Sequence, residues 1–244
     1  MAHFYRDPVS MTSFLEGWIK EELETTASAG GLVGLNGGVD SAVVAALLRR
    51  TCGRDNMLAL IMPCHNPSDD ERLARLFASD LDIPIKKVDL SEVCDMLANG
   101  IEVSCGKLSD DARTGIIPRL RMSTLYSVAH NRNYLVFGEG NKDDLYCGRF
   151  TKYGDVGVDM LPLGDLLTGE VAALARYLGI PDEIIAKPRS GDSTDSGELS
   201  YDDLDRFIAT GDAEENMANR IKEAYENSQH KRNPVPIAAI PHNF

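Results

Sequence analysis

The stretch from Gly34 to Ser41, GLNGGVDS, constrains the fold of this chain more than any other part of its sequence. Glycine, leucine and valine fill positions 31 to 35, which is typical of a strand buried on both faces of a parallel sheet. A helix of alanine, valine and leucine follows the stretch. Gly37 and Gly38 can adopt backbone conformations closed to other residues, and they let main-chain N–H groups approach an anion. Strand, loop and helix together predict a loop that binds nucleotide phosphates.

The residues after the two glycines separate this loop from a Walker A loop, because Val39, Asp40 and Ser41 stand where a lysine would be needed. A carboxylate repels a neighbouring phosphate unless a cation lies between them. Asp40 is therefore interpreted as a ligand of Mg²⁺. The alternative is a tight strand-to-helix turn in which Asp40 only caps the helix. The loop by itself leaves both interpretations open.

Apolar periodicity predicts an α/β protein with a doubly wound parallel sheet, flanking helices and a single domain over residues 1–244. We predict strands at 31–35, 57–62, 85–90 and 134–137, and helices at 9–26, after 41, at 69–81, 118–130 and 167–178, and around 217–225. The stretch 91–112 is interpreted as a helix followed by an unpatterned polar segment, and 188–200 as a surface loop. Ligands of such sheets bind beyond the carboxyl ends of the strands, so the glycine-rich turn from Gly138 to Asn141 should lie near the phosphate loop.

The composition argues against several classes of protein. A formal net charge of −13 over 244 residues disfavours non-specific binding of nucleic acid. No apolar run has the length of a membrane span and no secretion signal is recognisable, so we expect no membrane contact and a cytoplasmic location. Five scattered cysteines without CxxC spacing suggest neither a disulfide framework nor a zinc site.

Two polar stretches in the second half of the chain suit a polar ligand that carries a ring. PRLRM contains Arg119 and Arg121, although surface solvation would explain such a pair equally well, and FTKYGD contains Lys152 and Asp155 beside aromatic residues. These stretches occur together with LNGGVDSAVVAALL, IMPCHNPSDDE, LVFGEGN, VDMLPLGDL, LARYLGIPDEIIAKP, LSYDDLD and HKR. In this order, and over nearly the whole chain, the sequence resembles the ammonia-dependent NAD⁺ synthetases, a family of ATP pyrophosphatases.

The resemblance implies a homodimeric ligase that uses ATP and Mg²⁺ to join ammonia to deamido-NAD⁺ through an adenylated carboxylate. Because no glutaminase domain is recognisable, free ammonia is the expected nitrogen donor. Two alternatives stay open. One is a diverged relative that amidates another carboxylate, and the other is a dinucleotide-binding regulatory protein with weak or no catalysis.

Residue by residue, the resemblance implies three sets of positions. The ATP-binding set is Gly34, Leu35, Asn36, Gly37, Gly38, Val39, Asp40, Ser41, Glu139, Thr168 and Ser190. The set that binds deamido-NAD⁺ is Arg119, Lys152, Asp159, His230 and Lys231, of which the last two reach the site of the partner subunit. Asp40 and Asp144 form the metal-binding set, with Asp144 in place of the usual glutamate.

Three of the ATP-binding positions depart from the family pattern, since Asn36 replaces a serine, Glu139 a threonine and Thr168 a lysine. The last two changes make the expected site more negative by two charges, which predicts weaker binding of a triphosphate. Arg149 and Arg189 stand where the family has an aromatic residue and a proline. They are candidates for restoring the positive charge from new directions.

Overall fold

A computed structural model of the protein describes residues 4–65, 68–189 and 199–240. In these ranges the chain forms a sheet of four parallel strands in the order β3-β2-β1-β4. The strands are β1 (Gly30–Gly34), β2 (Met57–Ile61), β3 (Ile85–Lys87) and β4 (Tyr134–Phe137). Helices cover both faces of the sheet, so the predicted doubly wound α/β architecture is confirmed.

The helices of the described ranges alternate with the strands and then continue beyond them. They are α1 (Pro8–Thr25), α2 (Val39–Cys52), α3 (Ser68–Asp80), α4 (Ser91–Cys105), α5 (Asp110–Thr114), α6 (Ile116–Arg132), α7 (Lys142–Cys147), α8 (Thr168–Tyr177), α9 (Asp182–Ile185), α10 (Tyr201–Thr210), α11 (Glu215–Asn227) and α12 (Gln229–Arg232). None of these helices has an apolar stretch long enough to cross a membrane.

Two kinds of difference from the sequence prediction have local causes. Strand β3 ends at Lys87 rather than at residue 90, because Leu90 already caps helix α4. Helices α5, α7 and α10 were not predicted, and each begins at a polar cap. Ser109 Oγ accepts from the N–H of Ala112 at the start of α5, 3.2 Å away, and Asn141 and Ser200 cap α7 and α10 in the same way. The predicted loop at 188–200 lies mostly outside the described residues, and its last residue belongs to the start of α10.

The core lies on both faces of the sheet. Alternate residues of β1 point to opposite faces, so that Val33 packs with α1, α2, α3 and α8, whereas Leu32 packs with α4 and α6. Helix α2 is buried along most of its length, and its alanines and valines let it lie close to the strands. A smaller cluster joins α7, α10 and α11 beside the sheet.

The strand order creates a crevice beside β1. From β1 the chain passes to β2 and β3 on one side, and it returns to form β4 on the other side. The segments that follow β1 and β4 therefore diverge at the carboxyl end of the sheet, where ligands of doubly wound folds bind. The phosphate loop follows β1 and the turn that begins at Gly138 follows β4, so both expected ligand-facing segments border this crevice.

The core assignment predicts unequal effects of the same truncation at two leucines. Leu174 in α8 is fully buried, whereas Leu76 in α3 is 42% exposed. We expect Leu174→Ala to lower the free energy of unfolding by about 3 kcal/mol, because it leaves a cavity. The matched control Leu76→Ala should cost less than about 1 kcal/mol. Urea denaturation measures both, and equal losses would contradict the placement of α8 in the core.

Candidate active site

The phosphate loop requires glycine at one position for two separate reasons. Gly37 has a φ of +77°, and a Cβ atom there would lie 2.5 Å from the backbone oxygen of Asp70 at the start of α3. Helix α2 begins after Gly38, which is its N-cap and, as a glycine, has no side chain to cap the helix. The interpretation of Asp40 as a helix cap is therefore wrong, because Asp40 lies inside the first turn of α2.

Asn36 holds the loop together through both ends of its amide. Its Oδ1 atom accepts hydrogen bonds from the N–H of Gly38 and from Oγ of Ser41, each at 2.8 Å. Its Nδ2 atom donates to Oε1 of Glu139 across the crevice, at 2.9 Å. Two of the three departures from the family pattern are thus in direct contact with each other.

Glu139 follows β4 and is partly buried at the edge of the crevice. Burial, and then the neighbouring carboxylates of Asp40 and Asp155, raise the pKa of Glu139 to about 8, although Arg121 opposes this shift. At neutral pH the residue is therefore mostly a neutral acid. The prediction that it adds a full negative charge to the site is wrong for this reason.

Asp40 and Asp144 form a carboxylate pair at the start of α2 and α7. The side chain of Asn141 connects them, because its Nδ2 atom lies 3.4 Å from Oδ1 of Asp40 and its Oδ1 atom accepts from the N–H of Asp144. Burial and the charge of Asp40 raise the pKa of Asp144 to about 6. The shift is thus caused first by the loss of solvation of the Asp144 carboxyl group and then by repulsion from Asp40.

Two arginines bring positive charge to this pair. Nη1 of Arg189 lies 3.0 Å from Oδ1 of Asp40 in a mostly buried ion pair. The guanidinium groups of Arg149 and Arg189 lie over the ring of Tyr201, 4.9 and 5.6 Å from its centroid. The hydroxyl of Tyr201 donates to Oδ1 of Asp144 at 3.0 Å. Positive charge thus reaches the carboxylates from positions 149 and 189.

Thr168 faces a second, separate pair of carboxylates. Its hydroxyl and its backbone N–H donate to Oδ2 of Asp143, each at 2.7 Å, and the N–H also donates to Asp205 at 2.9 Å. Burial, and then Asp205, raise the pKa of Asp143 well above its usual range. These contacts cap α8, and they account for a hydroxyl at position 168 without any nucleotide.

The residues that precede α1 contact the carboxylates near the start of α8. The hydroxyl of Tyr5 donates to Oδ2 of Asp205 at 2.5 Å. The Arg6 guanidinium pairs with the buried carboxylate of Glu170, with 2.7 Å between Nη2 and Oε2. The N-terminal segment thereby braces the beginning of α8.

The five residues predicted to bind deamido-NAD⁺ lie at two separate places in the structure. Nε of Arg119 donates to the backbone oxygen of Lys152 at 3.2 Å, and Nζ of Lys152 donates to the backbone oxygen of His230 at 2.5 Å. Nζ of Lys231 binds the backbone oxygens of Gly148 and Phe150 at 2.7 and 2.9 Å. Four of the five residues therefore gather around the segment 148–152 of their own chain.

Asp159 lies apart from this group, at the edge of β4. Its carboxylate accepts from the N–H of Val136 at 2.8 Å and from the hydroxyl of Tyr126 at 3.0 Å. Ser190 lies outside the described residues. A contact of His230 or Lys231 with a partner subunit stays a prediction.

A cavity opens between the carboxyl ends of β1, β2 and β4. Apolar residues of these strands and of α6 line it, together with Asn36, Arg121, Glu139 and Asp155. Arg121 donates from Nε to the backbone oxygen of Met62 at 3.1 Å. The cavity thus has apolar walls with a polar end at the phosphate loop, which suits the base and ribose of a nucleotide.

Sequence reasoning missed two residues of the site. Asn141 is fully buried, and its position in the motif LVFGEGN at a strand end was the available signal. Tyr201 lies 57 residues from Asp144 in the chain, so no local pattern connects the two.

The fold and this crevice define a nucleotide-binding α/β enzyme of the kind that handles ATP phosphates at a glycine loop without a Walker lysine. Residues 11–235 match the model of the family described as NAD synthase. The NH(3)-dependent NAD(+) synthetase of Syntrophomonas wolfei subsp. wolfei is 38% identical, over 96% of this chain and 98% of its own length. The chain belongs to the NAD synthase family.

Two solved structures extend the comparison. The NMN synthetase of Francisella tularensis is 28% identical with a TM-score of 0.88, over 98% of this chain and 100% of the other. The NH3-dependent NAD synthetase of Campylobacter jejuni, in complex with the nitrate ion, is 26% identical with a TM-score of 0.83, over 96% and 100% of the two chains. The predicted family resemblance is confirmed.

The geometry of the loop predicts different effects of alanine at two glycines. Gly37 and Gly53 have nearly the same φ, +77° and +75°, but a Cβ atom at Gly53 has no neighbour within 4 Å. Gly53→Ala should therefore cost about 1 kcal/mol of stability and leave ATP affinity unchanged. Gly37→Ala must in addition displace the loop from Asp70, so we expect at least about a tenfold loss of ATP affinity. Calorimetric titration with ATP tests this, and equal affinities of the two variants would contradict it.

The cap of α8 predicts the effect of removing one hydroxyl. Thr168→Val keeps the shape of the side chain but deletes the hydrogen bond to Asp143, so we expect the free energy of unfolding to fall by about 2 kcal/mol. Thr168→Ser keeps the hydroxyl and serves as the control, with a smaller loss. Thermal and urea unfolding of the two variants give the comparison; a valine variant as stable as the serine variant would contradict the role of the hydroxyl.

Proposed function

We propose that this chain joins ammonia to the nicotinate carboxylate of deamido-NAD⁺ and consumes ATP, which is converted to AMP and pyrophosphate. One observation carries this proposal. A glycine phosphate loop, two neighbouring carboxylates and an apolar cavity meet at the crevice between β1 and β4. Membership of the NAD synthase family supports the same reaction.

The nucleotide is proposed to lie along this crevice, with its base in the cavity and its phosphates at the loop. The proposed contacts come from Gly34 to Ser41, Glu139 and the start of α8 at Thr168, with Ser190 as a further candidate. Arg149 and Arg189 are proposed to neutralise phosphate charge. Both guanidinium groups lie within reach of the carboxylate pair that faces the loop.

Asp40 and Asp144 fit Mg²⁺, because proteins hold this ion through one or two carboxylates together with phosphate oxygens. A cation between the two side chains would relieve the repulsion that raises the pKa of Asp144. The described residues contain no group of three or more histidine, cysteine or acidic side chains that could hold a metal by themselves. When bound, Mg²⁺ would neutralise the phosphates and make pyrophosphate a better leaving group.

The acid substrate is proposed to bind where α6 meets the segment 148–152. Arg119, Lys152, His230 and Lys231 gather there, and Asp159 lies at the neighbouring strand end. An acid with a carboxylate and a diphosphate is strongly anionic, and three of these side chains are cationic. We also propose a homodimer in the cytoplasm, in which the described cysteines remain free thiols.

The chemistry proceeds in two group transfers. A carboxylate oxygen of the substrate first bonds to the α-phosphorus of ATP, while the bond from that phosphorus to the β-bridging oxygen breaks and pyrophosphate leaves. The nitrogen of ammonia then bonds to the activated carbonyl carbon and loses a proton, while the bond to the AMP oxygen breaks. The protein contributes position and charge compensation rather than a covalent nucleophile.

A second acid substrate is worth testing because of one comparison. The NMN synthetase of Francisella tularensis matches this chain over nearly the full length of both. The mononucleotide acid carries the same nicotinate carboxylate, so the same two transfers would convert it. The two candidates differ only in which acid is amidated.

One assay tests the reaction and the substrate together. Each acid is incubated with ATP, Mg²⁺ and ammonium, and both the amide and pyrophosphate are measured. We expect Asp40→Asn to lower turnover by more than about 100-fold. Mutating a residue that only supports a metal ligand commonly lowers metal affinity or activity by about 10- to 100-fold, and Asp40 is proposed to bind the metal directly. Asp55, whose side chain is 92% exposed, supplies the control Asp55→Asn, which should keep full turnover.

The outcomes separate the candidates. Faster conversion of deamido-NAD⁺ supports the main proposal, and faster conversion of the mononucleotide acid supports the second. Pyrophosphate release without either amide would mean that ATP is cleaved but neither acid is amidated, which would contradict both proposals. Absence of turnover with both acids would support the regulatory alternative.

A further inference from the structure

The side chain of Asn36 occupies the hydrogen-bond donors with which the loop would bind phosphate. Its Oδ1 atom accepts from the N–H of Gly38 and from the hydroxyl of Ser41, both at 2.8 Å. A backbone N–H at a glycine loop and a hydroxyl in the first turn of a helix are typical phosphate ligands. The orientation of the amide is unambiguous, because a backbone N–H can only donate and must face Oδ1 rather than Nδ2.

A phosphate oxygen that takes these donors must displace Oδ1 of Asn36. If the amide turns over, Nδ2 faces the phosphate and can donate to it, while Oδ1 faces Glu139. The contact between the two side chains then reverses, because Oδ1 can only accept. Glu139, which accepts from Nδ2 at 2.9 Å before the change, would have to donate afterwards.

We infer that Asn36 and Glu139 form a reversible gate on the phosphate loop, in which Glu139 is a positioning residue whose protonated carboxyl group donates a hydrogen bond to Oδ1 of Asn36 when phosphate is bound. This inference rests on the proposed function for the identity of the ligand. Asn36 and Glu139, which both depart from the family pattern, thereby have one joint role, and each needs the other to control phosphate binding.

The surroundings of Glu139 keep it able to donate at neutral pH. Burial and the charges of Asp40 and Asp155 raise its pKa to about 8, against the opposing effect of Arg121. The charged groups near Glu139 come from several elements. They are Asp40 of α2, Asp70 and Glu71 of α3, Arg121 of α6, Asp144 of α7, Asp155 of the segment after α7, and Arg189 after α9, which is paired with Asp40. The acid form predominates below the raised pKa and is lost as the pH rises through about 8. Phosphate binding should therefore weaken over the same range.

Simple repulsion between an ionised Glu139 and phosphate would give a similar pH dependence, so a second comparison is needed. Glutamine at position 139 is neutral and can donate to Oδ1 of Asn36. Methionine is also neutral and similar in size, but it cannot donate. Repulsion alone predicts the same affinity for both variants, whereas the gate predicts that the glutamine variant binds more tightly than the methionine variant.

The experiment measures pyrophosphate binding by calorimetry at several values between about pH 6.5 and pH 9, with Mg²⁺ present. The proteins are the wild type, Glu139→Gln, Glu139→Met and the double variant Asn36→Ser with Glu139→Met. Circular dichroism verifies that each is folded. The glutamine variant also corrects for the titration of pyrophosphate itself.

We expect wild-type affinity to fall about tenfold relative to the glutamine variant across this range. The methionine variant should bind about 5- to 10-fold more weakly than the glutamine variant at every pH, because Oδ1 then lacks a donor. The double variant should recover this loss, since serine needs no partner at position 139. Equal affinities of the glutamine and methionine variants, or a wild type that parallels the glutamine variant, would overturn the gate alone. Absence of binding by all four proteins would overturn the proposed function as well.

Discussion

Strand β1 is hydrogen-bonded along both of its edges, to β2 on one side and to β4 on the other. Because the chain leaves β1 toward β2 and returns at β4, the segments after these strands must separate, and the crevice is the result. The same arrangement positions both sides of the site, which are the phosphate loop after β1 and the turn after β4. The phosphate loop can pack against α3 only because Gly37 has no side chain, and Glu139 meets Asn36 only because β4 is the direct neighbour of β1.

The charge at the crevice differs from what the residue types at positions 139 and 168 suggest when each is considered alone. Thr168 adds no cation, but Arg189 is paired with Asp40 and Arg149 lies over the ring of Tyr201 close to Asp144. Glu139 contributes little negative charge at neutral pH because its surroundings favour the acid form. The carboxylates of the crevice are therefore accompanied by positive charge from residues other than those that the family resemblance implies. Counting formal charges along the sequence overstated the loss.

The sequence predicted what depends on local patterns. The strands and long helices follow apolar periodicity, and the phosphate loop follows from paired glycines between a strand and a helix. Helices α5 and α7 were not predicted because they have only five and six residues, and α5, α7 and α10 all begin at polar caps, which also occur in loops. Arg189 and Asp40, which form an ion pair, are separated by 149 positions in the sequence. Asn36 and Glu139, which are hydrogen-bonded, are separated by 103 positions. Side-chain pairing at such distances depends on tertiary packing, and the sequence contains no periodic signal for it.

The contact between Asn36 and Glu139 has a consequence for how such a site can diverge during evolution. If serine and threonine are the ancestral pair, a first change to glutamate places a buried acid opposite a side chain too short to reach it. A first change to asparagine places the amide opposite a threonine hydroxyl, which is shorter than the glutamate carboxyl group that accepts from Nδ2 in this structure. Residues in direct contact have effects that do not add, so the effect of a substitution at position 36 depends on the residue at position 139.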